Sequence, residues 1–220
     1  MGMTVCDVVI PCRDEAAALP VVLADVPDGW RVIVVDNGST DGTGDVARGL
    51  GARVVSEASP GYGSAVHAGV LASEAEFVAV MDGDASMRLA DIAPMLELVS
   101  SGDVTMAVGR RRPVGRGVWP WHARLGTMLL ATMIRRRSDF PIHDLAPMRV
   151  SRREDLLALG VQDRRFGYPL ELMLRAARAG WTVQEIDVAY DRRAAGTKSK
   201  VSGSVRGTGR AIHDFARVLR

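Results

Sequence analysis

Two aspartates separated by a single glycine, Asp82 and Asp84, directly follow an apolar run over residues 77–81. A short apolar run of this kind is typical of a buried strand. Side chains two residues apart in an extended chain point to the same side, so the two carboxylates can converge just beyond the strand. Hard divalent cations such as Mg²⁺ bind a few oxygen ligands and keep water or phosphate in the rest of their coordination shell. The spacing therefore predicts a metal site that holds a phosphate-bearing substrate.

The chain around this pair alternates strand patterns with helix patterns. Strands are predicted over residues 5–10, 31–35, 53–55, 77–81 and 104–108, and helices over 16–24, 43–50 and 89–99, with a further helix that follows residues 60–63 and continues to about 72. Polar, glycine-rich turns follow the strands. This alternation is typical of an α/β protein with a doubly wound, mostly parallel sheet, and we expect a single domain over residues 1–220.

Other carboxylates also follow predicted strands. Glu15 comes after the first strand and Asp36 after the second. In open parallel sheets, ligands bind outside the carboxyl ends of the strands. We therefore expect Glu15, Asp36 and the aspartate pair to meet at one edge of the sheet.

The second half of the chain is less regular. Strands are predicted over 143–150 and 182–190, helices over 170–179 and 212–219, and a mobile cationic loop over 192–210. An apolar segment over 121–134 ends in three arginines, and at this length it is too short to span a bilayer. Two interpretations stay open: a helix in a membrane interface with its arginines at the headgroups, or a core helix whose cationic last turn complements its dipole.

Charge is unevenly distributed although the net charge is only +2. Residues 1–109 carry 5 Arg against 16 Asp and Glu, or −11, and residues 110–220 carry 23 Lys and Arg against 10 Asp and Glu, or +13. An acidic half suits a metal, and a basic half suits phosphates or an anionic membrane. Because aromatic residues are few and no binding motif is present, we expect no nucleic-acid partner.

Compartment and covalent links follow from simple counts. No run of 18 apolar residues and no secretory signal pattern is present, so the expected location is the cytoplasm. Cys6 and Cys12 are the only cysteines and lie in one predicted strand, about 20 Å apart if extended. This separation excludes a disulfide between them, and two cysteines provide no cysteine-based zinc site.

An ordered series of motifs runs along nearly the whole chain. The motifs are IPCRDE at 10–15, VDNGSTD at 35–41, PGYGSA at 60–65, MDGD at 81–84, GR at 109–110, HDLAPMR at 143–149, GYPLE at 167–171, and YDRR with SKVSG at 190–203. In this order they resemble the family 2 glycosyltransferases of the GT-A fold, in the branch related to dolichyl-phosphate mannosyltransferase.

The resemblance implies a nucleotide-diphosphate sugar, with a GDP or UDP moiety, as the donor. It places Asp82 and Asp84 on Mg²⁺ or Mn²⁺, which bridges the diphosphate, and Asp36 on the base. The residues that it assigns to the nucleotide sugar are Pro11, Arg13, Glu15, Asp36, Asn37, Gly61, Gly63, Asp82 and Arg110. The first 109 residues would then form the nucleotide- and metal-binding half, and residues 110–220 the acceptor side.

The chemical nature of the acceptor decides whether a catalytic base is needed. The residues that the resemblance assigns to catalysis are Asp84, Glu171, Asp144 and Arg149, and those assigned to phosphate or acceptor are Arg193, Lys198 and Lys200. A sugar hydroxyl acceptor requires a base in an inverting reaction, for which Glu171 and Asp144 are the candidates. A lipid phosphate is already ionised and requires none. The basic half favours a polyprenyl phosphate and a peripheral position at the inner face of the membrane.

Three positions depart from the family pattern, and two other functions stay open. Asn37 stands where the family usually carries a second aspartate, Tyr62 replaces a common lysine, and Ser86 occupies the place where dolichyl-phosphate enzymes often carry glutamine. A sugar-phosphate nucleotidyltransferase would share the sheet, but its basic glycine-rich loop after the first strand is missing. A catalytically degenerate nucleotide-sugar-binding protein is the other alternative.

Overall fold

Seven strands form one sheet in the computed structural model, which describes residues 5–138, 140–145, 147–194, 214, 215 and 218. The strands are β1 (Cys6–Cys12), β2 (Trp30–Asp36), β3 (Arg53–Ser56), β4 (Phe77–Val80), β5 (Met106–Pro113), β6 (Arg149–Arg152) and β7 (Val183–Tyr190). Their order is β3-β2-β1-β4-β6-β5-β7. Strand β6 is antiparallel to both of its neighbours, and the other pairs are parallel. The predicted α/β fold with a mostly parallel sheet is confirmed.

Helices cover both faces of this sheet. They are α1 (Leu19–Val22), α2 (Thr43–Gly49), α3 (Tyr62–Ala72), α4 (Ile92–Ser100) after a 3₁₀ turn at Leu89–Asp91, α5 (Trp121–Arg137), α6 (Arg153–Ala158) and α7 (Tyr168–Arg178). Helix α1 is shorter than predicted because the Ala16 N–H donates to Asp41 instead of entering a helix. None of the helices in the described ranges is both long enough and apolar enough to cross a membrane.

Two strands differ from their predicted lengths by more than two residues. Strand β5 continues to Pro113, because β7 pairs with it in parallel register as far as Tyr190. Strand β6 begins only at Arg149, because the backbone N–H groups of His143 and Asp144 bind the Glu185 side chain instead of a strand. The predicted cationic loop and the predicted C-terminal helix lie largely outside the described residues.

The core has one apolar layer on each face of the sheet. One layer is built around Leu19, Ile92 and Met95, and the other around Ile33 and Leu170. Every residue of β4 is buried. The strand that leads to the aspartate pair is therefore the best-covered part of the sheet, which fixes the position of the loop that follows it.

Reversal of β6 brings a further side chain to the carboxyl edge. Arg149, the first residue of β6, pairs with Val80 at the end of β4 and with Val108 in β5. An antiparallel strand starts where its parallel neighbours end. Arg149 therefore lies beside the loop that carries Asp82 and Asp84.

Candidate active site

The loop after β4 packs tightly against β1. A Cβ atom at Gly83 would lie 2.6 Å from the Cys12 Sγ and 3.0 Å from the Ile10 Cγ2. Only glycine fits this position without displacing β1. The requirement for glycine between Asp82 and Asp84 is thus steric, and it holds the two carboxylates at the strand end.

Asp84 is 2% exposed and fully engaged by the protein. Its Oδ1 accepts hydrogen bonds from the Ser86 N–H at 2.9 Å and the Ser86 hydroxyl at 2.5 Å. Its Oδ2 forms an ion pair with the Arg193 Nε at 3.0 Å. The Ala194 N–H donates to the Asp84 carbonyl and the Asp191 N–H to the Ser86 carbonyl, so the chain after β7 lies along this loop.

The surroundings of the Asp82 carboxylate differ from those of Asp84. Within the described part of the chain, no hydrogen bond or ion pair reaches its carboxylate, which is partly exposed. Burial, and then the negative charge of Asp84, raises the pKa of Asp82, although Arg193, Arg111 and Arg149 act in the opposite direction. An unneutralised carboxylate beside a second one is a suitable ligand for a divalent cation.

The donor set fits a metal that shares its coordination with a substrate. No cluster of three or more His, Cys, Asp or Glu side chains able to hold a metal is found among the described residues. A cation on Asp82 and Asp84 would take its remaining ligands from water and substrate oxygens, as Mg²⁺ does in phosphate-transfer sites.

Arg149 is a buried cation at the same edge. It is 2% exposed, and within the described residues no carboxylate lies at ion-pair distance from it. Its Nη2 donates to the Tyr62 hydroxyl at 3.2 Å, and its Nε donates to the Pro147 carbonyl at 3.4 Å. The Tyr62 ring packs edge-on against Tyr168, with centroids 6.4 Å apart. A buried guanidinium held by a neutral hydroxyl retains its capacity to bind an anion.

Arg111 is the third cation and was missed by the sequence analysis. Its Nε and Nη2 bind the two Asp144 oxygens at 2.8 and 2.7 Å, and its backbone N–H also donates to Asp144. The guanidinium carbon lies 4.0 Å from the Trp119 ring centroid and 5.4 Å from that of Tyr190. Glu185 in turn accepts the Asp144 N–H at 2.9 Å. Arg111 is therefore held in one orientation.

The prediction named Arg110, its neighbour, for the nucleotide sugar. Successive side chains of a strand point to opposite faces, so Arg110 and Arg111 leave β5 on different sides. Arg111 is the one whose charge acts on Asp82. The sequence could not show which of these arginines faces the site. The predicted strand ends at residue 108, whereas β5 continues to Pro113, and three consecutive arginines show no alternation of polar and apolar residues.

Both predicted bases are engaged by protein donors. The Asp144 carboxylate forms a bidentate ion pair with Arg111. Glu171 accepts the N–H groups of Gln162 and Asp163, at 3.1 and 2.6 Å, and the Arg175 Nε at 2.6 Å. These partners belong to α7 and the loop before it, so the structure does not bring Glu171 together with the aspartate pair.

The predicted nucleotide residues lie at the ends of β1 and β2. The Asp36 Oδ1 accepts the Ser39 N–H at 2.9 Å. Asn37 is 7% exposed, donates to the carbonyls of Glu57 and Ser59, and accepts the Gly61 N–H at 2.8 Å. Asn37 thus anchors the loop between β3 and α3.

Gly61, at the end of that loop, and Gly63, in the first turn of α3, both lie against backbone atoms. Gly61 has a φ of +150°, and a Cβ there would lie 2.2 Å from the Arg164 carbonyl oxygen. At Gly63 it would lie 2.4 Å from the Asp163 carbonyl oxygen. The loop before α3 is therefore locked to the loop before α7, which brings Tyr62 to Arg149.

The loop after β1 is fixed to the loop after β2. The Asp14 Oδ1 accepts the Thr40 N–H at 2.8 Å, and the Glu15 N–H donates to the Thr43 hydroxyl at 2.9 Å. Pro11 pairs with Val35 within the sheet. Glu15 is buried at this edge, whereas Arg13 is exposed. Lys198 and Lys200 lie outside the described residues.

Sequence comparison identifies the family. The family model "Glycosyl transferase family 2" matches residues 7–159. An uncharacterized glycosyltransferase of Mycobacterium tuberculosis is 55% identical over 212 residues, which cover 96% of each chain. A dolichyl-phosphate hexose transferase of Haloferax volcanii is 32% identical, over 87% of this chain and 85% of its own. A polyprenol monophosphomannose synthase of Mycolicibacterium smegmatis is 31% identical, over 90% and 81%.

Solved structures identify the same fold. Glucosyl-3-phosphoglycerate synthase from Mycobacterium tuberculosis, in complex with Mn²⁺, UDP and glucosyl-3-phosphoglycerate, superposes with a TM-score of 0.76 at 20% identity. The match covers 98% of this chain and 78% of that chain. Together with the sheet order and the site geometry, these likenesses show that the chain belongs to glycosyltransferase family 2 and has the GT-A fold.

Proposed function

We propose that this glycosyltransferase moves a sugar from a nucleoside-diphosphate sugar to a polyprenyl phosphate, with Mg²⁺ or Mn²⁺ and with inversion at the anomeric carbon. One observation carries the proposal. The charges of Arg111, Arg149 and Arg193 converge on the aspartate pair, whereas both candidate bases are bound to protein donors. A site rich in cations and poor in available bases suits two phosphate-bearing substrates better than a sugar hydroxyl.

The metal would be held by Asp82 and Asp84. When bound, it would neutralise the nucleoside diphosphate as this group leaves the sugar. The open carboxylate of Asp82 and its raised pKa support this assignment. The solved complex of glucosyl-3-phosphoglycerate synthase with Mn²⁺ and UDP is in keeping with it.

The transfer step balances without a base. An acceptor phosphate oxygen forms a bond to the anomeric carbon as the bond from this carbon to the diphosphate oxygen breaks, and the electron pair of the broken bond stays on the diphosphate. Because an acceptor phosphate is ionised at neutral pH, no proton has to be removed. The engaged states of Asp144 and Glu171 agree with this scheme. In it, Asp144 positions Arg111, and Glu171 secures the loop before α7.

The two halves of the chain would then divide the work. Residues 1–109 would bind nucleotide and metal, and residues 110–220 the acceptor. Asp36 would contact the base, with the rest of the donor pocket formed by Pro11, Arg13, Glu15, Asn37, Gly61 and Gly63, and with Arg111 in place of the predicted Arg110 on the side of the aspartate pair. Arg149, Arg193, Lys198 and Lys200 would bind the phosphates, through bidentate contacts in the case of arginine.

Location follows from the acceptor. A polyprenyl phosphate lies in a membrane, so the protein would work in the cytoplasm at the inner membrane face. The names of the Haloferax and Mycolicibacterium relatives, which specify dolichyl phosphate and polyprenol, support this placement.

A transfer assay tests the proposal. The purified chain would receive GDP- or UDP-sugars with Mn²⁺, together with either a short-chain polyprenyl phosphate or the matching polyprenol, and products would be identified by mass spectrometry. We expect a glycosylated phosphate from one donor, and no product from the alcohol or with a chelator present. Transfer to the alcohol at an equal rate would contradict the proposal. Nucleotide binding without any transfer would favour a degenerate binding protein, and pyrophosphate release from a nucleoside triphosphate and a sugar phosphate would indicate a nucleotidyltransferase.

A further inference from the structure

Helix α5 exposes a continuous apolar face. Trp121, Leu125, Met128 and Leu129 are 77%, 49%, 51% and 63% exposed. At 100° per residue, these four positions fall within an arc of about 100° on one side of the helix. We call these four side chains the outer face of α5. Apolar residues are expected to be scattered on a surface rather than aligned along one helix.

The other side of α5 is what attaches the helix to the protein. Ala131 and Ile134 are fully buried, and Leu130 and Met133 pack partly buried against the core layer that contains Leu170. The core-helix interpretation from the sequence therefore accounts for one side only. Folding does not require the outer face to be apolar.

The charged residues in the chain segment that contains the outer face are all arginines. Residues 104–138 contain eight arginines and no aspartate or glutamate. Arg124 and the three arginines of the last turn, 135–137, are exposed. On the helical wheel, Arg135 and Arg136 continue the outer face. Apolar residues, including a tryptophan, followed by arginines on the same side are typical of helices that lie in a membrane interface.

We propose that the outer face of α5 docks into the headgroup region of an anionic lipid bilayer. Charge complementarity selects this occupant, because juxtamembrane arginines are attracted to anionic lipids. A second copy of the chain is a poor partner, since a symmetric contact would place this acid-free segment against itself.

Docking would also orient the site, a part of the inference that rests on the proposed function. Trp119, which stacks on Arg111, lies two residues before the start of α5. Immersion of the outer face would thus hold the arginine cluster near the bilayer surface. That is where the phosphate of a membrane-embedded polyprenyl phosphate is located.

Vesicle flotation of the full chain tests the docking alone. The vesicles would contain phosphatidylcholine, with or without phosphatidylglycerol, and no nucleotide or polyprenyl phosphate. We expect binding to the anionic vesicles that weakens with salt. The double variant L125Q/L129Q should bind at least about tenfold more weakly, because it removes two half-exposed leucines from the apolar contact.

A matched control uses apolar residues that are equally exposed elsewhere. Val21 and Leu71 are 67% and 54% exposed, on α1 and α3. The double variant V21Q/L71Q should bind vesicles like the unaltered chain. Equal binding by L125Q/L129Q and the unaltered chain would overturn the proposal. So would a dimer in lipid-free solution that L125Q/L129Q dissociates, since the outer face would then belong to a second copy.

Transfer to a short-chain polyprenyl phosphate in free solution separates the two proposals. L125Q/L129Q should keep this activity while it loses vesicle binding. If no variant and no donor gives transfer while anionic vesicles are still bound, the proposed function fails and the docking stands. If transfer is found but the vesicles are not bound, the docking fails and the function stands.

Discussion

Buried carboxylates at the two edges of the sheet have opposite environments. At the amino edge, Asp7 in β1 is fully buried, and both of its oxygens accept hydrogen bonds from Arg31 at 2.8 Å. Its Oδ2 also accepts the Ser73 hydroxyl and the N–H groups of Glu74 and Ala75. Burial acts to raise the pKa of Asp7, but these hydrogen bonds, that of Arg31 foremost, outweigh it and lower the pKa to about 2.

At the carboxyl edge, Asp82 receives no such donors from the described residues, and its pKa is raised by burial and by Asp84. The same residue type therefore stabilises the fold at one edge and is held at a cost at the other. Uncompensated charge is typical of sites prepared for a ligand of opposite charge. The contrast supports the proposed binding site at the carboxyl edge, whereas Asp7 supports the fold at the amino edge.

The largest effect is expected from Asp82→Asn. Loss of the carboxylate would remove a proposed metal ligand, and we expect sugar transfer to fall about a thousandfold, in line with the several kcal/mol that a catalytic metal contributes. Initial rates at saturating Mn²⁺ measure it. Asp45→Asn serves as the control, because this exposed residue pairs with Arg48 on α2 and with no other charged side chain in the described ranges. Unchanged transfer in Asp82→Asn would remove the metal assignment.

At the other edge, Asp7→Asn should leave donor binding intact and lower the free energy of unfolding by about 2–4 kcal/mol. The variant removes the buried charge that binds Arg31, which keeps only its contact with the exposed Glu74 among the described residues, and places a neutral amide among the donors of Ser73, Glu74 and Ala75. Urea titration followed by circular dichroism measures the change. A variant as stable as the unaltered chain would show that the Asp7 hydrogen bonds do not support the fold.

The stability that Asp7 provides should depend on pH in a defined direction. Its pKa in the folded chain is about 2, below the ordinary value of 3.8, so the unfolded chain binds the proton more readily. The contribution is fully present above the ordinary value and is lost as the pH falls towards 2. In urea titrations at decreasing pH, the gap between the unaltered chain and Asp7→Asn should narrow over this window. A constant gap would contradict the lowered pKa.

Replacement of Arg193 should have a smaller effect, on the affinity for Mn²⁺, and the direction of this effect should reverse when a nucleoside diphosphate is present. In the structure this residue occupies the Asp84 oxygen that a metal would use. Arg193→Gln should therefore bind Mn²⁺ alone several-fold more tightly, because one opposing cation is removed. With a nucleoside diphosphate present it should bind the pair less tightly, because a phosphate partner is lost.

Electron paramagnetic resonance of free Mn²⁺ measures both affinities. Arg192→Gln is a matched control, since the neighbouring arginine is exposed and forms no ion pair with any described residue. If Arg193→Gln changed the Mn²⁺ affinity in the same direction with and without nucleotide, Arg193 would not move from Asp84 to a phosphate when the substrate binds.

The smallest effect is expected for Tyr62→Phe. The variant removes one hydrogen bond to the Arg149 guanidinium and keeps the ring contact with Tyr168. Transfer at low substrate concentrations should fall about threefold to tenfold, which corresponds to one hydrogen bond. Thermal melting should hardly change. Tyr168→Phe, which leaves the Arg149 contact intact, should transfer normally, and an equal loss in both variants would point to a general packing defect.

The carboxyl edge of the sheet could be predicted from the sequence, whereas the amino edge could not. Alternation of strands and helices predicts a parallel sheet, and polar residues after strands then meet at its carboxyl edge. This reasoning correctly placed the loop of Asp82 and Asp84 directly after a buried strand. The Asp7 cluster was not predicted, because Arg31 and Ser73 approach Asp7 only through the folded topology.

The site residues that the sequence missed depend on contacts between distant segments. Arg111 was overlooked because the length of β5, which sets the side of each arginine, is determined by pairing with β7. The Asp144 carboxylate is bound by Arg111, 33 residues earlier in the chain, and the Asp144 N–H is bound by Glu185, 41 residues later. Glu171 was predicted to be a base from its position in a motif, but a motif does not show that its carboxylate binds the N–H groups of Gln162 and Asp163. Local patterns predict elements, whereas the state of a carboxylate depends on its neighbours in space.

Thermal melting of Asp82→Asn beside the unaltered chain, with and without Mn²⁺ and a nucleoside diphosphate (UDP or GDP), tests the central claim most directly. Without ligand, we expect the variant to melt a few degrees higher, because a repelled charge is removed from beside Asp84. With ligand, the unaltered chain should gain a few degrees and the variant none. A variant that melts lower without ligand, or that keeps the full metal-dependent gain, would contradict the account of a carboxylate held at a cost for a metal.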